Sequence, residues 1–442
     1  MKQTHTSRII VDIHRLDENI ASLRRLIGPT VGICGVVKAD AYGLGAVPIA
    51  SRLHRLGVDM LAVFTPEEAR ELVQAGIAAD ILLLMPIRQM PRHDALYRAL
   101  ISGRLHAVVH DAAHLDQLIR IAESYGCIWP LHVEIDTGMS RGGMTSEEAM
   151  VVINRINHHR RLRLAGIMTH FACADSDEAA TELQFRSFAE IITQFDDDLL
   201  KSTMIHLANT SACLNFGKRF HFDMVRLGLA WVGYGENGNS DCNLSARVSG
   251  DSTNNHTSSN NQLQPVVRWV SSIVHTKWIE PGMPVGYGWT WKSERKTRLG
   301  LVPVGYADGY PAALSNRSVV RIRKSSEDNG WWVIPVVGQV SMDQLMIDLT
   351  EVSLCDSCVG TEVELLSQDT EAPNNLLALA RLAGVVPYAI LCGLSSRIPR
   401  RFVDHHRHES VGTELESVVD YSFCKADRGG SSRVIPTIRV SR

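Results

Sequence analysis

Between about residues 30 and 232, short β-branched or apolar runs alternate with amphipathic stretches, the pattern of parallel strands separated by helices. Eight runs read as strands: VGICGVVKA (31–39), DMLAVF (59–64), DILLLM (80–85), HAVVH (106–110), LHVEID (131–136), LAGIMTHF (164–171), IHLAN (205–209) and VRLGLAWV (225–232). Start signals mark the helices between them. Thr65-Pro66-Glu67-Glu68 sets a cap, a first-turn proline and acids before ARELVQAG, and Thr145-Ser146-Glu147-Glu148 repeats the device. Eight β/α units predict an α/β fold with a parallel (β/α)8 barrel of TIM type over residues 13–235; an open doubly wound sheet would leave a similar pattern.

Residues 236–262 hold almost nothing that could pack, and their Asn, Ser and Gly density reads as a flexible insertion between domains. Beyond it, over 263–402, come short alternating runs broken by Gly and Pro, such as RLGLVPVGYA, SVVRIRK and WWVIPVVGQV. That texture predicts a smaller mainly-β domain, joined by the early strand RIIVDI near residues 7–12. Residues 403–442 read as a polar tail.

Composition narrows the class. The 442 residues are 45% hydrophobic and 21% charged, which excludes a disordered, collagen-like or coiled-coil chain. Since 45 Lys+Arg nearly cancel 48 Asp+Glu, no general attraction to nucleic acid or anionic membranes is expected. Neither a signal h-region nor an apolar run of about 20 residues is present, so a cytoplasmic enzyme is the expectation. Nine scattered Cys argue for reduced thiols. Cys355 and Cys358 form a C-x-x-C that nothing nearby completes as a zinc site. Asp404, His405, His406 and His408 open the polar tail and read as solvated rather than metal-binding.

In a barrel, catalytic groups sit at the C-terminal ends of strands. The polar residues ending the apolar runs are Lys38, then Glu134 followed by Arg141, then His170, Asn209 with Thr210, and Arg226 with Gly228. A lysine behind Val36 and Val37 loses hydration, which favours the neutral amine needed for a Schiff base. Thr210 and Gly228 fall where barrels build phosphate sites, and with Lys38 they suggest pyridoxal phosphate. Arg226 stands two residues before that glycine, close enough to meet the pyridine nitrogen, and a guanidinium does not readily give up its proton. An ion-paired Lys38 and a structural Arg226 remain open on these residues alone.

The segments VVKADAYGLG, HVEIDTGMSRGG, GIMTHFACAD, HLANTSACLNF, DMVRLGLA, VGYG, PVGYADGYP and VGQVSMDQ, in this order over residues 8–402, resemble the alanine racemase family. The resemblance implies a fold-type III pyridoxal 5'-phosphate enzyme acting on a small amino acid, as a homodimer whose sites are completed across the interface. It assigns Lys38 as the Schiff-base lysine and base on one face, and Tyr287 as the opposite-face base from the other subunit. His170 and Arg226 match a chain leading to that tyrosine, where their positive charge would favour phenolate. Tyr42, Asn209, Thr210, Gly228 and Leu229 match cofactor contacts, mostly at its phosphate. Arg141 and the Met342 backbone match the carboxylate-binding groups, while Tyr306 and Asp343 match the entrance.

Two positions depart from the family. Glu134 stands where many members carry a lysine, often carbamylated, that orients Arg141; it is expected to supply that negative charge directly. Ser396 stands where a phosphate-binding tyrosine is usual, which opens space beside the substrate Cβ and predicts serine as a secondary substrate. Two other readings are a fold-type III decarboxylase and a non-catalytic pyridoxal phosphate-binding protein. Glu280-Pro281-Gly282-Met283 lacks the arginine of the former, and the latter lacks a β domain bearing VGYG and SMDQ.

Overall fold

The computed structural model describes residues 6–92, 94–235, 262–325 and 330–404, together with the backbone of 417–419. Most of the expected insertion and tail, with His405, His406 and His408, lies outside them. The chain divides into two compact units, Asp17–Leu263 and Met1–Leu16 with Gln264–Arg442.

The first strand, β1 (Arg8–Asp12), belongs to the second unit. The first unit contains eight parallel strands: β2 (Gly32–Val36), β3 (Met60–Val63), β4 (Asp80–Leu83), β5 (Leu105–Val109), β6 (Trp129–Glu134), β7 (Leu162–Met168), β8 (Met204–His206) and β9 (Met224–Leu227). They pair in sequence from β2 to β8, with β9 beside β2. The ring is nearly closed by backbone bonds along β8 and β9, from Asp223 N–H to Ile205 O at 3.0 Å and from Arg226 N–H to Ala208 O at 2.8 Å. This is a (β/α)8 barrel. The helix Pro66–Gln74 opens with the expected capping box, Thr65 and Glu68 each holding the other's backbone N–H.

Strand alternation fills the interior in layers. Cys34, Met60, Ala62, Leu82, Val108, Met168 and Met224 form an apolar cluster. Beside it lies a polar row that periodicity alone could not place. His106 Nδ1 is 2.9 Å from His132 Nε2, and His132 Nδ1 is 2.8 Å from His206 Nε2. The register of β6 against β7 slips between Leu131 and His132, setting His132 opposite Gly166. A Cβ at Gly166 would stand 2.3 Å from His132 Nδ1, so only glycine admits the imidazole there.

All eight sequence-derived strands end earlier than expected, and three of the shortfalls come from a turn or helix that takes over the chain. The first stops at Val36, and Ala39, Asp40, Ala41 and Tyr42 make a left-handed turn with φ of 51–58°. Such a turn costs L-residues roughly 1–2 kcal/mol each. Bonds around it offset part of that cost: Ala41 N–H reaches Val37 O, Ala46 N–H reaches the Asp40 carboxylate at 2.6 Å, and Ala39 N–H reaches Glu68 Oε1 at 2.7 Å. The seventh run stops at His206 because Asn209 caps a new helix, Thr210–Asn215. The eighth stops at Leu227, and Leu229–Val232 turns helical after Gly228.

In the second unit a ten-stranded sheet holds β1 between antiparallel Val267–Ser272 and parallel Arg400–Asp404. Ser417–Val419, from the stretch read as a tail, pairs with Arg400–Asp404. A separate ribbon pairs Pro284–Val285 with Trp291–Lys292, carrying residues 286–290 at its tip. Among the described residues no helix is long and apolar enough to cross a membrane.

Burial sets the acid behaviour of the histidine row. It lowers the His106 pKa to about 4 and holds those of His132 and His206 well below the ordinary range. Their depressed values mean that the unfolded chain takes up protons which the barrel refuses. Stability is therefore complete above the ordinary imidazole value of about 6.5 and falls as pH drops toward about 4, by up to ~1.4 kcal/mol per pH unit for each excluded proton. His106→Asn, whose amide oxygen can take the place of Nδ1, should flatten this limb; urea midpoints measured between neutral pH and about pH 5 will show it, and unchanged slopes would refute it.

Candidate active site

At the C-terminal mouth of the barrel, Arg226 ends the histidine row. Its Nη1 donates to His206 Nδ1 at 2.9 Å and to His206 O at 3.0 Å, while Nη2 donates to Thr169 O, Leu207 O and His170 Nδ1 at 2.7, 3.2 and 3.1 Å. A guanidinium only donates, so His206 and His170 must accept at Nδ1 and carry their proton on Nε2. The same polarity then passes from His206 to His132 to His106, all neutral. His106 Nε2, 3.8 Å from Asp80 Oδ2, has no hydrogen-bond partner among the described residues. Burial lowers the Arg226 pKa to about 10, which leaves it charged at neutral pH.

His170 corrects the expectation of a second cation in this chain. Its pKa lies well below the usual range through burial and the fields of Arg226, Arg141 and Lys38. The ring is neutral, and it offers an Nε2–H donor backed by the Arg226 charge.

Lys38 is half-buried and opens the left-handed turn, whose last residue, Tyr42, stacks on Trp231 at 5.7 Å. Trp231 is itself tied to Val36 O through Nε1 at 2.9 Å. A Cβ at Gly228 would stand 2.2 Å from the Tyr42 hydroxyl, so the glycine makes room for that hydroxyl over the backbone before Leu229. Thr210 Oγ1 accepts from the N–H groups of Gly228 and Ala230 at 3.2 and 3.3 Å, leaving its own proton to donate. Asn209 is committed locally, its side chain capping the helix at Ala212 N–H.

Glu134 ends β6 beside His110, which follows β5, and its Oε2 lies 2.9 Å from His110 Nδ1. Among the described residues it makes no hydrogen bond or ion pair with Arg141, contrary to the expectation from the motif. The cause is register: Val109 pairs with Val133, so the next residues on the two strands face each other. Arg141 stands exposed on a loop organised by the Asp136 carboxylate, whose Oδ1 accepts from Gly138, Met139 and Ser140 N–H.

The other candidates lie on the β-domain unit. Tyr287 is 74% exposed at the ribbon tip, followed by exposed Trp289. Asn316, which sequence reasoning did not single out, holds that ribbon: its amide donates to Thr290 Oγ1 at 3.0 Å and accepts from Gly338 N–H at 2.6 Å. Tyr306 and Met342 are exposed on loops that pack backbone to backbone. Tyr306 N–H reaches Ser341 O, Ala307 N–H reaches Met342 O, and a Cβ at Gly305 would stand 2.2 Å from Ser341 O. Arg397 bridges Asp308 and Asp343, at 2.6 and 2.7 Å. Ser396 is exposed in the adjacent turn.

Models of the alanine racemase N-terminal domain and C-terminal domain match residues 11–236 and 266–402. An alanine racemase of Halothermothrix orenii is 34% identical over 393 residues, spanning 89% of this chain and 95% of that one. Among solved structures, the alanine racemase of Clostridium difficile superposes with a TM-score of 0.76 at 28% identity, covering 96% of this chain and all of that one. The alanine racemase of Bartonella henselae, described with covalently bound pyridoxal phosphate, gives a TM-score of 0.72 at 25% identity, covering 90% and 100%. With both halves matched in order along nearly the whole chain, the chain belongs to the alanine racemase family and racemises alanine.

Proposed function

We propose that this racemase uses pyridoxal 5'-phosphate at the barrel mouth and works by two bases, Lys38 of one chain and Tyr287 of a second copy. The observation that carries the reading is the cradle of Tyr42, Thr210 and Gly228 set beside a mouth bearing Lys38, Arg141 and Arg226. Two hydroxyl donors and three cations suit a phosphate and a carboxylate, so the residues present fit the cofactor. Tyr42 and Thr210 would hold its phosphate, Lys38 its aldehyde carbon, and Arg226 its ring nitrogen. When bound, the cofactor supplies the electron sink that makes the substrate Cα–H acidic.

The chain's own groups then move one proton. Lys38 Nζ takes the Cα proton from one face, and Tyr287 Oη delivers its proton to the other, so the Cα–H bond that breaks is replaced by one of opposite configuration. The reverse direction starts from phenolate and ammonium. His170 Nε2–H, held in this tautomer by Arg226, is a donor suited to the phenolate. Arg141 and the Met342 backbone would hold the substrate carboxylate, with Tyr306 and Asp343 at the entrance. The exposure of Tyr287, Trp289, Tyr306 and Met342 in a single chain supports a homodimer, since aromatic and Met side chains are enriched where a partner covers them.

Borohydride reduction of the holoenzyme and peptide mapping should place a pyridoxyl group on Lys38; label on another lysine would overturn the assignment. Tyr287→Phe should slow Cα exchange in deuterated water from one alanine enantiomer by roughly 10²–10⁴-fold more than from the other. Mixed Lys38→Ala and Tyr287→Phe chains should regain part of the activity, and inactivity despite proven subunit exchange would argue against a shared site. Ser396 in place of the family's tyrosine would leave room beside Cβ, so serine should turn over as a secondary substrate. Ser396→Tyr should lower the serine-to-alanine ratio of kcat/KM, within the ~1–3 kcal/mol that one pocket contact usually discriminates.

A further inference from the structure

Glu134 and His110 can be assigned protons from their partners alone. His110 Nε2 lies 2.8 Å from the backbone oxygen of Leu84, which can only accept, so Nε2 carries a proton. His110 Nδ1 lies 2.9 Å from Glu134 Oε2, and that contact is a hydrogen bond only if one further proton sits between them. Imidazolium with carboxylate, or imidazole with carboxylic acid, both make the pair neutral overall. The loop carrying Arg141 rests on this pair: a Cβ at Gly142 would meet His110 Nδ1 at 3.2 Å and Glu134 Oε2 at 3.4 Å, and one at Gly143 would meet Glu134 Cγ at 3.1 Å. Met144 N–H bonds Glu134 O at 3.0 Å, closing the loop on the same residue.

We infer that His110 and Glu134 form a single neutral positioning unit, which supports the Arg141 loop from beneath and leaves the Arg141 charge free for an anionic substrate group. The inference rests on the proposed role of Arg141 in binding the substrate carboxylate. It departs from direct pairing of Glu134 with Arg141, because the carboxylate is already committed to a cation of its own.

The unit has a pH limit. Burial opposes the charge on His110, but the Glu134 bond and field, the Leu84 oxygen and Asp111 together outweigh it and raise its pKa. The other groups around it are His114, whose ring stacks at 6.0 Å and whose pKa burial lowers, Arg88 near His114, and Arg141 on the loop above. A raised value means that the pair holds together to higher pH than an ordinary imidazole would allow and opens alkaline of that range. There Glu134 loses its partner and becomes available to draw Arg141 from the substrate.

The test compares His110→Gln, Glu134→Gln and the double variant in the holoenzyme, with steady-state alanine kinetics across pH. His110→Gln, which leaves the Glu134 carboxylate without its counter-charge beside Arg141, should raise KM by roughly tenfold with kcat changed much less, whereas Glu134→Gln, whose amide can donate to an unprotonated Nδ1, keeps a neutral pair and should change KM little. The double variant, which restores a neutral amide pair, should recover most of the KM and lose its alkaline rise. Multiplied KM defects in the double variant, or a defect confined to Glu134→Gln, would overturn the unit. Nitrogen NMR of the parent protein provides a readout independent of turnover and of variant folding. The His110 resonances should show protons on both ring nitrogens at neutral pH, or one shared with Glu134, and a bare Nδ1 would overturn the inference. Absence of alanine turnover in the parent would instead remove the racemase reading while leaving the NMR result intact.

Discussion

A guanidinium has five N–H donors and no acceptor, so burying one inside a barrel obliges its neighbours to be acceptors. Arg226 meets this condition with three backbone oxygens and two imidazole nitrogens. The consequence runs in both directions. Toward the core, it orients His206, His132 and His106 as neutral links of one polarity. Toward the mouth, it makes His170 a donor. Leaving any of these acceptors without its donor would cost roughly 1–3 kcal/mol, so site geometry and barrel stability depend on the same cation.

Charge at the mouth follows from which anions are already engaged. Glu134 is neutralised by His110, and the Asp136 carboxylate accepts from three backbone N–H groups. The positive fields of Arg226, Arg141 and Lys38 converge on His170. That convergence favours an anionic occupant at the mouth, and the Thr210 hydroxyl, already accepting from two N–H groups, adds a directed donor.

Backbone strain is concentrated next to Lys38. Four consecutive L-residues after Lys38 adopt left-handed φ values, and the conformation persists because Asp40, Glu68 and Val37 O hold the surrounding N–H groups. Glu68 links two levels of structure, since the capping residue of one helix also holds Ala39 behind the lysine. This places Lys38 on a rigid turn and sets the Tyr42 hydroxyl over Gly228.

The fold class was legible because eight apolar runs with helix start signals between them admit few arrangements, and the ordered motifs singled out Lys38, Arg226, Thr210 and Gly228 as residues of one barrel end. Strand ends were less legible, since VKADAY and LGLAWV carry strand-forming residues whose backbone is turned by contacts distant in sequence. The true partner of Glu134 and the neutrality of His170 were hidden for a related reason. Alternation tells which face of a strand a side chain occupies, but not which residue on the next strand lies opposite. That depends on register, and here the pairing of Val109 with Val133 and the slip between Leu131 and His132 decide it. Sequence by itself determined the chemical groups and their order along the barrel; the tertiary structure decided their partners, and so their protons and charges, because hydrogen bonding and burial act between strands brought together only by folding.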